Sequence, residues 1–222
     1  MTFEKPKKKK IPQMTITRLA QYLNCLSLLP TEQYEEISSK ELASKIELKP
    51  TQVRQDFHHF GGFGQAGYRY KVNDLIIGLE RILGLDQQQK LIIVGMGHLG
   101  QALASYKNFE PLGLNLVALF DVNPKLIGLS LRDVPIKDID DLPAIVAKHN
   151  VTIAAITTPT SAAQNTANML VAAGIKGIWN FSPVNLTTPP DVIVQNEHLS
   201  VGLMTLSYRL KTLNKQNDGE QE

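Results

Sequence analysis

Three glycines at fixed spacing are the residues of this 222-residue chain best suited to bind a ligand. Gly95, Gly97 and Gly100 follow an aliphatic run at 90–94, typical of a buried parallel strand, and open a predicted helix from Leu99 to about Lys107. In such a motif the first glycine permits a tight turn, the second lets the backbone approach a pyrophosphate, and the third allows the helix to pack closely on the strand. Amides at the helix N-terminus then face the phosphates. The motif predicts a dinucleotide site.

A carboxylate after the next predicted strand extends this pattern. The hydrophobic run 114–120 is followed by Asp121, twenty-one positions after Gly100. A carboxylate there can accept both hydroxyls of a ribose and repels a 2′-phosphate, which favours NAD(H) over NADP(H). A glycine-rich turn that binds nothing is the alternative, because the motif also occurs without a ligand.

Two further loops are predicted to lie at the same ligand-binding edge. The run 151–156 is typical of a buried strand and is followed by Thr157, Thr158 and Pro159, while the predicted strand 176–179 leads into a loop at 180–183. Ligands of doubly wound sheets bind outside the carboxyl ends of the strands. We therefore expect both loops beside the glycine turn.

The N-terminal third of the chain has a different pattern. Thr15 is suited to cap a first helix, serines precede a short second helix, and a third helix follows Pro50 and runs from about Thr51 to Phe60. The segment 61–72 is typical of two short strands joined by a glycine-rich turn. Three compact helices and a hairpin predict a winged helix-turn-helix. A small helical docking domain with a polar surface is the alternative.

The third predicted helix would present polar side chains to a DNA major groove. Glutamine suits bidentate contact with adenine and arginine suits guanine, while Arg69 or Lys71 in the wing could reach phosphates or a minor groove. The residues that this helix would present are Thr51, Gln52, Arg54, Gln55 and His58.

Charge and composition separate the two regions and limit the compartment. Residues 1–75 hold twelve Lys and Arg against eight Asp and Glu, whereas the other 147 residues hold eleven against thirteen. This basic excess favours a polyanionic partner, unless the lysines at 7–10 form only a solvated tail. No apolar run approaches the ~18 residues of a membrane span. The single Cys25 excludes an internal disulfide and a cysteine metal cluster, so we expect a cytoplasmic protein without a metal site.

The last predicted helix, from about His198, carries an apolar stripe. Leu199, Leu203, Leu206 and Leu210 are spaced by four, three and four residues and therefore lie on one helical face. We expect this face to form a dimer contact. Packing against its own domain is the alternative.

In these motifs the chain resembles the Rex family of bacterial redox-sensing transcriptional repressors, over about residues 11 to 210. The matching motifs are Ile11-Pro12, Arg18-Leu19, Tyr22-Leu23, Ile37-Ser38-Ser39, Gln52-Val53-Arg54, Phe60-Gly61, the segment 82–85, the Gly95 turn, the segments 162–164 and 173–178, and Asn180-Phe181.

This resemblance implies an α/β protein with an N-terminal winged helix-turn-helix, a C-terminal Rossmann-like NAD(H)-binding domain and a C-terminal helix swapped within a homodimer. It implies that NADH releases a palindromic operator DNA and that NAD+ competes. The predicted regions are a basic disordered tail (1–10), the DNA-binding domain (11–84), the Rossmann domain (85–196) and the dimerisation helix (197–212). The predicted cofactor residues are Gly95, Met96, Gly97, His98, Leu99, Gly100, Asp121, Thr157, Thr158, Pro159 and Phe181, which would approach the nicotinamide. The predicted DNA-contacting residues are Ser39, Thr51, Gln52, Arg54, Gln55, His58 and Arg69.

Two departures from the family pattern concern the switch. Asn24 and His198 stand where the family usually has an arginine and an aspartate that form a salt bridge between subunits. The family's switching mechanism therefore does not carry over directly. His98 replaces a common Asn or basic residue in the glycine turn.

Other departures concern DNA. Gln55 replaces a usual lysine, and Ala66 and Arg69 stand where the wing typically has arginine and glycine. Moving an arginine by three positions along a hairpin places it on the opposite face unless a bulge intervenes. Operator choice and affinity are the properties that these changes would alter.

Three other functions are compatible with these motifs. A small NAD-dependent dehydrogenase shares the cofactor fold, but residues 90–195 leave no room for a substrate domain, and His149, His198 and Tyr106 are poorly placed for acid–base catalysis. A regulator that binds CoA or NADP would keep the fold and change the ligand, although Asp121 argues against NADP. A family member that no longer senses redox state is the third. We expect a repressor without enzymatic activity.

Overall fold

The structure, a computed structural model, describes residues 11–30, 34–60 and 69–219. The chain divides into two compact units, residues 1–87 and 88–222. The predicted basic tail at 1–10 and most of the predicted wing, 61–68 with Ala66, lie outside the described residues.

Helices form the core of the first unit. They are α1 (Gln13–Ser27), α2 (Ser39–Lys45), α3 (Pro50–His58) and α4 (Val72–Leu83). Their apolar faces meet in one cluster that includes Leu19, Tyr22, Phe57 and Leu75, each at most 2% exposed. The ring of Phe57 packs edge-on against Tyr22 at 5.3 Å, a favourable geometry for aromatic pairs. This core holds α3 in place while leaving its other face exposed.

Helix starts in this unit are set by different devices. Ser38 caps α2 in a capping box, in which its hydroxyl accepts the Glu41 amide and the Glu41 carboxylate accepts the Ser38 amide. Pro50 occupies the first turn of α3, where its missing N–H costs nothing. The expectation for α1 is wrong: the helix begins after Pro12, and Thr15 lies inside its first turn, where its amide donates to the Pro12 carbonyl at 2.9 Å.

Two short strands of the first unit pair antiparallel, β1 (Glu36–Ile37) and β2 (Tyr70–Lys71). The second of the strands predicted in 61–72 is therefore paired with a segment more than thirty residues earlier. Its expected hairpin partner falls among residues 61–68, outside the described part of the chain.

The second unit is built on a seven-stranded sheet. Its strands are β3 (Gln89–Val94), β4 (Leu114–Asp121), β5 (Ser130–Leu131), β6 (Val134–Asp138), β7 (Ile153–Ile156), β8 (Gly177–Asn180) and β9 (Ile193–Asn196). The order is β5-β6-β4-β3-β7-β8-β9, with every neighbouring pair parallel except β5 and β6. From β3 the chain moves outward through β4 to the edge strand β5, returns to form β6 between β5 and β4, and then crosses to β7 on the other side of β3. The carboxyl end of β3 is consequently the switch point at which such sheets hold ligands.

Helices cover both faces of this sheet. They are α5 (His98–Ala104), α6 (Leu142–His149) and α7 (Thr160–Ala172). The C-terminal helix α8 (Leu199–Gly219) is not one of them, because its described side chains, from 199 to 213, are all exposed. Alternate residues of β3 enter different cores: Ile92 and Val94 belong to one buried cluster, Leu91 and Ile93 to another. A strand that is apolar throughout is the sequence signature of this two-sided burial.

One expectation for helix bounds in this unit is wrong. α5 ends at Ala104 rather than near Lys107, and a 3-10 helix follows at Lys107–Leu112. Tyr106 therefore precedes that 3-10 helix and does not lie on α5. A 3-10 turn, Ile139–Asp141, also precedes α6, which begins at Leu142.

Candidate functional site

The turn after β3 requires glycine at two of its positions, Gly95 and Gly100, for different steric reasons. Gly95 has φ +100°, a left-handed conformation that residues with a side chain rarely adopt. A Cβ on Gly100 would lie 1.9 Å from the Gly95 carbonyl oxygen, so α5 can approach the strand this closely only with glycine there. Gln101 donates from Nε2 to the Met96 carbonyl at 2.8 Å and fixes the turn from the helix side.

Gly97 differs from its two neighbours because the protein itself does not require it. A Cβ at Gly97 would meet no described atom within 4 Å, and its φ of −66° is open to any residue. In the loop after β7, beside Gly95, the Thr158 hydroxyl is buried and has no hydrogen-bond partner among the described residues. Open space beside a glycine backbone and an unsatisfied buried hydroxyl fit a site that receives a polar ligand.

Side chains join the carboxyl ends of β3, β7 and β8 into one edge. Thr157, after β7, donates from Oγ1 to the Gly95 carbonyl at 2.6 Å. Ser182, after β8, donates from Oγ to the Thr158 carbonyl at 2.5 Å. The glycine turn, the Thr157–Pro159 loop and the loop after β8 are therefore brought together. Ser182 escaped the sequence reasoning, since a serine in a loop carries no distinguishing pattern.

Asp121 ends β4 beside the glycine turn. Its Oδ2 accepts the Met96 amide at 2.5 Å and its Oδ1 accepts the Asn123 amide at 2.8 Å. The carboxylate thus lies at the mouth of the turn and is only partly buried. The remaining lone pairs could accept a hydrogen bond from a ribose hydroxyl, since an ionised carboxylate accepts up to about four hydrogen bonds.

The loop that carries Phe181 is anchored by a buried amide. Asn180 is fully buried, donates from Nδ2 to the Val184 carbonyl at 2.9 Å and to Asn196 Oδ1 at 2.8 Å, and accepts the Ser182 amide at 3.0 Å. Phe181 is partly buried and its ring lies 4.5 Å from that of Trp179. The position expected to approach a nicotinamide is therefore held on both sides.

The remaining residues of the glycine motif contribute in different ways. The Met96 side chain is fully buried in a core, so only its backbone faces the turn. His98 and Leu99 open α5 and are exposed. Pro159 precedes α7 and is also exposed.

Most of the predicted DNA-contacting residues lie on the outer face of α3. Thr51, Arg54, Gln55 and His58 are exposed and Gln52 is half-buried. Ser39 differs: it is 8% exposed, and its hydroxyl accepts Arg54 Nη1 at 3.2 Å. Ser39 is thus placed to orient Arg54 rather than to reach a ligand itself.

Arg69 immediately precedes β2 and faces acidic side chains. Its guanidinium is 3.4 Å from Glu36 and 3.7 Å from Glu41, and Nη2 donates to the Glu36 carbonyl at 3.1 Å. These exposed pairs contribute little stability. Contact with a phosphate would require Arg69 to exchange them.

A buried polar network behind α3 was missed by the sequence reasoning. The Asp56 carboxylate is 1% exposed and accepts Arg18 Nε at 2.6 Å, Arg18 Nη2 at 2.7 Å, the Tyr22 hydroxyl at 2.7 Å and Gln52 Nε2 at 3.0 Å. Burial acts to raise the pKa of Asp56, but the hydrogen bonds from Arg18, Tyr22 and Gln52 lower it below its usual value. The i, i+4 spacings of Arg18 with Tyr22 and of Gln52 with Asp56 were the available signals.

The two residues that depart from the family's intersubunit salt bridge, Asn24 and His198, are both exposed. Asn24 lies on α1 in the first unit, and His198 immediately precedes α8 in the second. The apolar side chains of α8 are also largely exposed: Leu199, Leu203, Leu206 and Leu210 are each at least 51% accessible. This helix presents its stripe to solvent in the single chain.

Other classes of site leave no trace in the described part of the chain. Its acidic, histidine and cysteine side chains form no cluster suited to a metal ion. Among the described helices, none combines the length and apolarity that a membrane span requires.

Known families and proteins match the chain along nearly its full length. Residues 10–58 match a family described as "Putative DNA-binding protein N-terminus", and residues 86–184 match one described as "CoA binding domain". Named relatives are called "Redox-sensing transcriptional repressor Rex". One, from Caldanaerobacter subterraneus subsp. tengcongensis, is 48% identical over 92% of this chain and 91% of its own. Another, from Clostridium acetobutylicum, is 45% identical over 96% and 99%.

Solved structures agree with these relatives. A crystal structure of RSP in complex with β-NADH covers 94% of this chain and 98% of its own at 42% identity, with a TM-score of 0.86. A crystal structure of RSP with β-NAD+ and operator DNA covers 96% and 100% at 45% identity, with a TM-score of 0.83. RSP is described as a Rex-family repressor. The mixed α/β fold with an N-terminal DNA-binding unit is thereby confirmed.

Proposed function

Because the chain belongs to the Rex family of redox-sensing transcriptional repressors, we propose that it binds operator DNA and releases it when NADH binds. The observation that carries this proposal is that single alignments to RSP, solved with NADH and with NAD+ and operator DNA, span both units. Residues 11–84 would bind DNA, residues 85–196 would bind NAD(H), and the protein would act in the cytoplasm without chemical turnover.

The carboxyl edge of the sheet supplies the proposed nucleotide site. Backbone amides from Gly95 to Gly100 would hold the pyrophosphate, which the open space at Gly97 supports. Asp121 would accept the ribose hydroxyls. The Thr158 hydroxyl offers an unsatisfied polar group, and Phe181 would lie against the nicotinamide. A CoA ligand would share the pyrophosphate contacts, but it carries a 3′-phosphate on its ribose that the nearby carboxylate disfavours.

The outer face of α3 supplies the proposed DNA site. Thr51, Gln52, Arg54, Gln55 and His58 would reach base edges or phosphates of the major groove. Ser39 would act by orienting Arg54, to which it is bonded. Arg69 would bind a phosphate after exchanging its carboxylate partners.

Dimerisation is proposed to occur through α8. Its exposed leucines form an apolar face of the kind that a second copy would bury. A palindromic operator then follows from the two-fold symmetry of the dimer. Asn24 and His198 would leave the switch without the family's intersubunit salt bridge, so other contacts must favour the DNA-free state when NADH is bound.

The mechanism requires only differential affinity. NADH must bind the DNA-free conformation more tightly than the DNA-bound one, and a tenfold loss of operator affinity needs about 1.4 kcal/mol of coupling. No bond is made or broken in either ligand. The linkage is reciprocal, so operator DNA should weaken NADH binding by the same factor.

An operator titration tests the proposal. Purified protein is titrated with a palindromic duplex at fixed salt, alone and with saturating NADH, NAD+ or coenzyme A. We expect NADH to weaken binding at least tenfold and NAD+ and coenzyme A to leave it nearly unchanged. If coenzyme A instead of NADH released the operator, or if none of the three nucleotides changed operator binding, the proposed role of NADH as the signal would be overturned.

Gly97→Ala is the matched variant for that titration. Because the added Cβ meets no described atom, the fold should persist while the pyrophosphate cradle is filled. We expect normal DNA binding without nucleotide and loss of the NADH effect. An unchanged NADH effect would place the nucleotide elsewhere.

A further inference from the structure

The glutamine that the DNA-binding proposal places at a base edge is held from behind by a buried carboxylate. Gln52 Nε2 donates to Asp56 Oδ1 at 3.0 Å, one turn along α3. Gln52 is half-buried, whereas Asp56 is 1% exposed. Gln52 therefore connects the protein interior to the outer face of the helix.

The carboxylate cannot turn away from Gln52. Arg18 grips both of its oxygens, with Nε 2.6 Å from Oδ2 and Nη2 2.7 Å from Oδ1, and the Tyr22 hydroxyl adds a bond to Oδ2 at 2.7 Å. Arg18 and Tyr22 both lie on α1, and Tyr22 belongs to the buried core of the first unit. Two parallel charge-assisted bonds of this kind fix orientation as well as position.

Because the carboxylate is ionised and paired with Arg18, it can only accept hydrogen bonds. The nitrogen end of the Gln52 carboxamide must therefore face it, and the opposite orientation would bring two oxygens together. One N–H is used by Asp56. The carboxamide oxygen and the second N–H remain for a ligand, with their order along the helix fixed. Among the described residues, no donor is bonded to that oxygen.

We propose that Asp56 is a positioning residue that makes Gln52 select adenine over guanine in the operator. This inference rests on the proposed DNA binding. Adenine presents a donor, N6, beside an acceptor, N7, and the fixed carboxamide presents the complementary acceptor and donor. Guanine presents two acceptors, O6 and N7, so the Gln52 oxygen would face O6 with no proton between them. A glutamine free to rotate could relieve this clash by offering its nitrogen, which the bond to Asp56 prevents.

The test measures base selectivity at single positions. A palindromic duplex selected from a random library by the wild-type protein is the probe, and each adenine in one half-site is replaced in turn by guanine. We expect Gln52→Ala to abolish adenine selectivity at one position, which identifies the base that Gln52 reads. At that position the wild-type protein should prefer adenine roughly tenfold or more, since a bidentate base contact is worth ~1–3 kcal/mol.

Asp56→Asn should lose selectivity at the same position and keep it at the others. An asparagine offers a single oxygen, for which Arg18 and Gln52 then compete, so the carboxamide of Gln52 is no longer held in one orientation. Tyr22→Phe is the control: it removes a donor to Oδ2 and leaves the Gln52 bond to Oδ1, so the adenine preference should persist. A purely structural role for Asp56 would weaken binding at all positions alike.

Several outcomes would overturn the inference. Asp56→Asn that folds and keeps the wild-type adenine preference would separate Asp56 from readout. If that variant does not fold, the wild-type protein decides the matter, because tolerance of guanine at the Gln52 position would contradict a fixed carboxamide. A wild-type protein that selects no sequence would instead overturn the proposed function, and this inference with it.

Discussion

The carboxyl edge of the sheet and the polar network behind α3 both hold groups that would face a ligand, but different interactions hold them. At the sheet edge the constraint is backbone geometry: Gly95 is left-handed, and Gly100 has no space for a Cβ. Behind α3 the constraint is charge: one buried carboxylate is bonded by side chains from another helix. The first site should be sensitive to added atoms and the second to lost charge.

The largest expected effect is removal of that charge. Asp56→Ala leaves the partly buried Arg18 guanidinium and the buried Tyr22 hydroxyl without their acceptor, and breaking a buried ion pair typically costs about 3–5 kcal/mol of unfolding free energy. Urea unfolding followed by helical circular dichroism would measure it. A loss below about 1 kcal/mol, the range of exposed pairs, would mean that the network does not stabilise the first unit.

The same network predicts a direction of pH dependence. Since folding lowers the pKa of Asp56, its contribution is complete above the pKa of an unfolded aspartate, about 3.9, and is lost as the pH falls through the lower folded value. The stability difference between wild type and Asp56→Ala should therefore be constant above about pH 5 and shrink below about pH 4. A difference that grows on acidification would contradict the ionised carboxylate.

The next largest expected effect is the loss of stability when a Cβ is added to the glycine turn. Gly100→Ala forces a Cβ against the Gly95 carbonyl and should cost at least ~1–3 kcal/mol, as overpacked sites do. Urea unfolding monitored by Trp179, the chain's single tryptophan and part of the second unit, reports it. Gly97→Ala is the control and should unfold like the wild type. Equal stability of the two variants would remove the distinction between the glycines.

The smallest effect concerns a side-chain device that is purely local. Ser38→Ala removes the hydroxyl that accepts the Glu41 amide at 3.1 Å, and loss of an N-cap costs about 1 kcal/mol. Ser44→Ala, which removes only an exposed bond to the Glu41 carbonyl, is the matched control and should change stability little. The comparison uses the same urea titration. Equal effects of the two variants would show that capping at Ser38 is not what stabilises α2.

These three devices also differ in how far sequence predicts them. The glycine turn and the Ser38 capping box are defined by spacings of a few residues. The turn and the serines before α2 were predicted from the sequence, whereas the reciprocal bonds between Ser38 and Glu41 were not. Strands β3, β4 and β7 were predicted because apolar runs mark buried parallel strands. The Arg18–Asp56 bond joins residues thirty-eight positions apart, and only the packing of α1 on α3 brings them together. Spacing in the sequence does not encode that distance.

The errors have similar local causes. Thr15 is a good capping residue, but Pro12 already supplies the extended backbone and free carbonyl with which α1 begins, so the helix starts earlier. The end of α5 was predicted too late because the residues after Ala104 suit a 3-10 helix as well as an α-helix. The pairing of β2 with β1 is an addition rather than an error: it joins segments more than thirty residues apart, which hairpin patterns do not reveal, and the predicted hairpin partner lies outside the described residues.

The central position of β3 in its sheet has a consequence for biosynthesis. Leu91 pairs with Ile153, sixty-two residues later, so one edge of β3 stays open while that length of chain is being made. At ~5–20 residues per second this interval lasts roughly 3–12 s. The helices of the first unit need no residue beyond 87 and emerge earlier. During synthesis, the unit proposed to bind DNA can therefore fold before the unit proposed to bind NAD(H) is complete.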